Sequence, residues 1–338
     1  MFSYMKRGSG FYKEVAVLAA PIVMQNLITS TLSMADTFMV GLMGEAPMAA
    51  VTLANIPIRA VNMFIFGAQS GSSILISQYW GKQDRRSISR VMGAAMWTVL
   101  AVTALFALIM NLWPLEFLSL FGNEQSVIAT AAQYGDLAAL SCCFNGLTMM
   151  YIAAYRSMEK PQLGMYILIA SMSLNTFLNW VFIFGHLGSP VMGVRGAALA
   201  TLIARIFEVC AITVHMLVTR FFRVDFAALF RPGREMLRRF FLYGGPVVLN
   251  ETMWGLGTSV MPTIMGHMEN STEILAAYTI TSNVEQVVNV VGFGIAATAA
   301  VIIGREVGAG RTEQVFPTGK ALATLGFLTG TALGVPLF

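Results

Sequence analysis

An aspartate stands inside an apolar stretch, PIVMQNLITSTLSMADTFMVGLMG, which runs from Pro21 to Gly44. Gln25, Thr29, Ser33 and Asp36 are spaced 4, 4 and 3 residues apart, so on a helix they share one polar stripe. In a bilayer such a stripe must face protein or a water-filled cavity, and an acid there marks an ion or substrate pathway. Asn175 and Asn179 share a face one turn apart, and Thr201 lies in a later apolar stretch. At about 1.5 Å of rise per residue, Asp36 lies roughly 34 Å beyond Lys13, and Asn175 and Asn179 lie roughly 18–24 Å beyond Leu163. Thr201 lies only about 8 Å into its span from the opposite end, so all four fall in the same half of the membrane. An acid, two amides and a hydroxyl at one depth could line a site for a sodium ion or a proton. They could equally be a hydrogen-bonded packing cluster between helices, and spacing does not choose between the two.

Other polar groups sit in apolar surroundings. Glu251 follows Pro246 and is either a second coupling acid or a glutamate paired within its own bundle. Trp254, one turn on, could stack on an organic cation or pack in the core. Arg205 and Glu208 are three residues apart and read as a structural ion pair. Pro21 and Pro246 each remove a helical hydrogen bond and invite a kink. The 23 methionines could give an adaptable lining for varied ligands, or face lipid and core.

The elements that must position these groups are membrane helices. Of 338 residues, 56% are hydrophobic and 11% charged, against about 25% charged in a soluble domain. Uncharged runs of about 20 residues indicate helices rather than a barrel. Cys142, Cys143 and Cys210 all fall in apolar runs without metal-site spacing and read as small core residues. The first apolar segment is too long for a cleaved signal.

Eight complete spans are expected, near 14–40, 52–78, 91–112, 130–155, 163–185, 195–218, 243–267 and 275–303, with part of a ninth from 320. The sequence stops inside that ninth span, which suggests a fragment. All lysines and arginines except Arg59, Arg195 and Arg205 then fall on one side, which makes the N-terminus cytoplasmic. The net charge of +4 therefore belongs to short loops and does not point to nucleic acid. Residues 221–240 mix Phe and Leu with arginines. They read either as an amphipathic segment on the cytoplasmic surface or as a charge-rich connector.

The chain also repeats itself. GAQSGSSILISQYWGKQD from Gly67 is similar to GIAATAAVIIGREVGAGR from Gly294, and Pro21 and Pro246 open spans at nearly the same offset. This predicts an all-α fold of two six-helix lobes related by a pseudo-twofold axis, the second incomplete. The N-terminal lobe would be 1–220, the linker 221–240 and the C-terminal lobe 241–338, with spans 1, 2, 7 and 8 lining a cleft. Arg59 and Glu285 occupy equivalent places early in spans 2 and 8. They could pair as an extracellular latch; otherwise Arg59 snorkels to the headgroups and Glu285 is a substrate-cavity acid.

MADTFMVGLMG followed by AAVTLAN, SLNTFLNWVFIFG with VRGAALATLIAR, and the IIGREVGAG turn together resemble the multidrug and toxic compound extrusion (MATE) family. The resemblance covers essentially the whole chain. It implies a monomeric, multi-pass antiporter of the inner (plasma) membrane that exports small organic cations in exchange for Na+ or H+ and needs no cofactor. It also implies that Asp36 is the first-span acid and that Asn175 and Thr201 are polar members of the ion site. Asn179 stands where some members carry a second acid. Glu251 matches a span-7 acid loosely. The alternative is a lipid-linked precursor flippase of the same superfold, whose cavity would need several basic residues, whereas only Arg59 and Arg205 lie within spans. An intramembrane protease is disfavoured: no GxGD sequence is present, and His186, His215 and His267 lie at span ends.

Overall fold

The structure is a computed structural model that describes residues 8–122, 124–219, 221–265 and 271–335. The described residues form helices and no strand. The long helices are α1 (Ser9–Gly41), α2 (Glu45–Gly81), α3 (Arg85–Leu112), α5 (Gln125–Ser157), α6 (Gln162–Phe184) and α7 (Val194–Val218), followed by α9 (Arg234–Met265), α10 (Ser271–Gly308) and α11 (Thr312–Gly334). Two short helices, α4 (Pro114–Leu118) and α8 (Phe226–Phe230), lie in the connections. Both α1 and α9 run unbroken past their prolines, Pro21 and Pro246.

Among the described residues, seven helical stretches are long and apolar enough to cross a membrane: α1, α2, α3, α5, α6, α7 and residues 289–308 of α10. The chain is thus a multi-pass α-helical membrane protein. Two of the expected spans, α9 and α11, fall outside that set. Between residues 243 and 265 α9 is diluted by Gly, Thr, Asn250 and Glu251, and α11 is diluted by Thr, Gly and Lys320.

The first six long helices pack on one another, with α5 at the centre touching α2, α3 and α7. Their contact surfaces are small: Ala50, Ala54, Ala94, Ala95, Ala131, Ala139 and Ala154 are fully buried. In lipid there is no hydrophobic drive between helices, so close backbone approach and dispersion hold them together. The later helices join through α2, which packs on both α9 and α10, while α1 packs on α10. Glycines set this seam. A Cβ on Gly71 would lie 2.7 Å from Gly244 Cα, and one on Gly67 would lie 2.7 Å from Val248 Cα. Gly308 lies against the carbonyl of Gln78, and Gly304 against Ser77. The seam is therefore tight toward the face where α1 begins and α2 and α10 end.

The segment 221–240 divides its apolar residues between protein contacts and exposed positions, with Phe226 and Phe230 on the exposed side. Phe222 and Phe240 are buried, Leu229 lies against Gly93 of α3, and the Asp225 amide donates to Ser89 Oγ at 3.1 Å. Alternating Phe and Arg cannot distinguish burial in lipid from burial on a neighbouring helix, because both reward the same pattern.

Candidate ion-binding site

The helices bring Asp36, Asn175, Asn179 and Thr201 together. Asp36 is half-buried near the end of α1, and Asn175 and Asn179 are each 1% exposed on α6. The amide Nδ2 of Asn179 donates to Asp36 Oδ1 at 2.6 Å. The Asn175 amide lies 3.3 Å from Thr201 Oγ1 on α7. With its oxygen toward Thr201, its Nδ2 reaches Asp36 Oδ1 at 2.9 Å; turned over, its oxygen accepts from Asn179 Nδ2 at 3.1 Å. The antiparallel pair α6 and α7 makes this register possible, since Asn175 and Asn179 are one turn apart and meet two different partners. The Thr201 hydroxyl also donates to the Ala197 carbonyl at 3.0 Å, which leaves its lone pairs toward the cluster.

One atom in this cluster is unsatisfied: Asn179 Oδ1 is buried and has no hydrogen-bond partner. A buried acceptor without a partner costs about 1–3 kcal/mol. A cation, or a proton on the neighbouring carboxyl, would satisfy it. The donor set is all oxygen, which suits a hard monovalent cation and not a thiolate-seeking metal.

The stripe on α1 divides. Gln25 is buried about three turns from Asp36 on the same α6-facing side of α1: its Nε2 donates to the Pro161 carbonyl at 2.5 Å, tethering α1 to the connection between α5 and α6. Thr29 is exposed and its hydroxyl donates to the Gln25 carbonyl of its own helix at 2.9 Å. Ser33 belongs to α1, but its side chain lies outside the described residues. Glu251 is half-buried on α9 and shares the stripe of Gly244, Val248 and Gly255, which faces α2. Trp254 is exposed and meets Phe293 of α10 edge-on at 6.2 Å. Arg59 and Glu285 are both exposed and form no ion pair with each other, which leaves a latch between them as an expectation only.

Two further polar residues, not among the sequence candidates, belong to the surroundings of Asp36. Tyr134 on α5 hydrogen-bonds Asn55 on α2 and lies close enough to Asp36 for their charges to interact. Asn55 follows the AAVTLA run, so a count of span polar groups by depth would have found it. Tyr134 could not be found that way, because its span is rich in small polar residues. The expected ion pair is present: Arg205 Nη1 donates to both oxygens of the fully buried Glu208, at 2.8 and 3.0 Å.

Buried oxygens gathered at one depth inside a bundle of apolar helices define a polytopic membrane protein with an internal polar site. The sequence matches the MatE family over residues 21–181 and 246–338, more than half of its length, and the chain belongs to that family of membrane transporters. Two similar proteins are each described as a probable multidrug resistance protein NorM. The one from Rhizobium meliloti (strain 1021) is 28% identical over 330 residues, 93% of this chain and 67% of that protein. The one from Thermotoga maritima is 24% identical over 333 residues, 96% of this chain and 70% of that protein. Among solved structures, a MOP superfamily transporter from Pyrococcus furiosus has the same fold, with a TM-score of 0.84 at 19% identity over 95% of this chain and 70% of that one. A multidrug resistance MATE family transporter in an outward-facing conformation gives a TM-score of 0.83 at 20% identity, over the same shares.

Proposed function

We propose that this protein exports organic cations by alternating access, in exchange for Na+ or H+ held at Asp36, Asn175, Asn179 and Thr201. The observation that carries this reading is the partnerless, buried Asn179 Oδ1 beside the Asp36 carboxylate. A packing cluster gains nothing from an unsatisfied acceptor, whereas an ion site needs one. Filling the site adds a contact between α1 and α6, and emptying it removes one. Ion occupancy can thereby bias the position of α1, which packs on both α6 and α10. Glu251, on the seam between α2 and α9, is the second candidate coupling acid.

The drug-export side of the reading draws on the relatives described as multidrug resistance proteins. The face where α1 begins, which carries the basic loops, would be cytoplasmic in an inner membrane.

The test is efflux of a fluorescent organic cation by the protein in proteoliposomes, under a sodium-only or a proton-only gradient. Asp36→Asn is expected to abolish gradient-driven efflux while the protein still inserts and melts as a folded species. Wild-type efflux from that variant would overturn the reading.

A further inference from the structure

The α6–α7 seam does not end at the ion site. Ser171, Asn175 and Asn179 follow one another at four-residue intervals on α6, and Thr201, Arg205 and Glu208 stand at intervals of four and three on α7. Ser171 opposes Glu208, Asn175 opposes Thr201, and Asn179 reaches Asp36. Arg205 lies one turn from Thr201, about 6 Å along the axis, and its charge acts on Asp36.

Glu208 is fully buried, and three hydrogen bonds converge on it, two from Arg205 Nη1 and one from the Ser171 hydroxyl. A carboxylate and a guanidinium inside a span are costly, and two apolar side chains would pack the seam at less cost. The pair makes sense if the guanidinium must be held somewhere. The other carboxylate that meets this seam is Asp36 of α1, and a guanidinium that reached it would supply both the charge and the donors that a coupling cation supplies.

We propose that Glu208 is a positioning residue for the Asp36 site: with Ser171 it retains Arg205 on the far side of Thr201 and keeps the guanidinium out of the cation's place. This rests on reading Asp36 as the coupling carboxylate. Freed from Glu208, Arg205 becomes an internal competitor for the ion. Held there, the Arg205–Glu208 pair is neutral, and the site keeps the single negative charge of Asp36, which matches a monovalent ion.

The test measures efflux of a fluorescent cation from proteoliposomes against the concentration of the driving ion, sodium or proton. Glu208→Gln is expected to raise the half-saturating ion concentration by about tenfold, with a smaller change in the maximal rate. The Arg205→Gln/Glu208→Gln double variant removes the competitor and returns the half-saturation toward wild type. A merely structural pair would change yield or melting without moving the half-saturation. Should Glu208→Gln fail to fold, Ser171→Ala loosens the same carboxylate without changing charge and is expected to raise the half-saturation by about threefold. A folded Glu208→Gln, or failing that a folded Ser171→Ala, with unshifted half-saturation overturns the proposal, as does a shift that the double variant leaves in place. A wild-type rate that ignores both gradients overturns the coupling role of Asp36 and the Glu208 role with it. Wild-type dependence with no shift in the variants overturns the Glu208 role alone.

Discussion

Arg305 Nη1 donates to Glu14 at 2.6 Å, although 291 residues separate them. The same nitrogen reaches Glu159, between α5 and α6, while Nη2 reaches Glu306, which also holds Arg311. This network ties α1, the α5–α6 connection and the end of α10 at the face where α1 begins. Beside it, Ser77 is fully buried against Gly304. Arg305→Ala is expected to weaken this closure by about 1–3 kcal/mol, since hydrogen bonds to charged groups are lost and two partly exposed carboxylates lose their partner. The check is the rate of maleimide labelling of a Ser77→Cys variant, which should rise several-fold when Arg305→Ala is added. An unchanged rate would mean the closure does not depend on the network.

Gly71 meets Gly244 backbone to backbone where α2 crosses α9. A methyl group there would sit 2.7 Å from Gly244 Cα, against a carbon–carbon optimum of about 3.5–4.0 Å. Gly71→Ala is expected to lower stability by about 1–3 kcal/mol because the two helices must part. Gly41→Ala, whose methyl would meet only Met48 Sδ at 3.8 Å, serves as the control and should melt like wild type. Thermal unfolding in detergent compares the two.

Asn179→Asp puts a second carboxylate where an amide now donates to Asp36. Two acids at that distance cannot both stay ionised without a shared cation or proton. The variant is expected to bind the coupling ion more tightly, with a half-saturating concentration lower by about tenfold. Ion-dependent efflux measures it, and a weaker or unchanged half-saturation would count against the ion site.

Asp84 caps α3. The Ser87 hydroxyl donates to its Oδ2 at 2.6 Å and the Ser87 amide to its Oδ1 at 3.0 Å. Those bonds, the hydroxyl's first and the amide's second, hold its carboxyl below the ordinary aspartate range. The folded value is depressed, so this contribution is complete above the unfolded value of about 3.9 and is lost as pH falls through the lower folded value. Asp84→Ala should cost about 1 kcal/mol at neutral pH. The gap between the melting temperatures of wild type and variant should hold from pH 7 to 5 and shrink below about pH 4.

The sequence by itself determined the class of this protein and the identity of its unusual groups. Apolar runs that leave no polar backbone unsatisfied can only be helices in lipid, and a carboxylate in such a run is too costly to be incidental. Asp36, Asn175, Asn179 and Thr201 were therefore legible as candidates from residue type and depth. Helix rise fixes depth but not azimuth between helices, so only the tertiary structure decided which polar groups meet. It joined those four, while Gln25, about three turns from Asp36 on the same stripe, meets the Pro161 carbonyl instead. It also set Tyr134 beside Asp36 and joined Arg305 to Glu14 and Glu159. These contacts depend on how closely glycine and alanine faces let the backbones approach, a property of pairs of helices that no single span encodes.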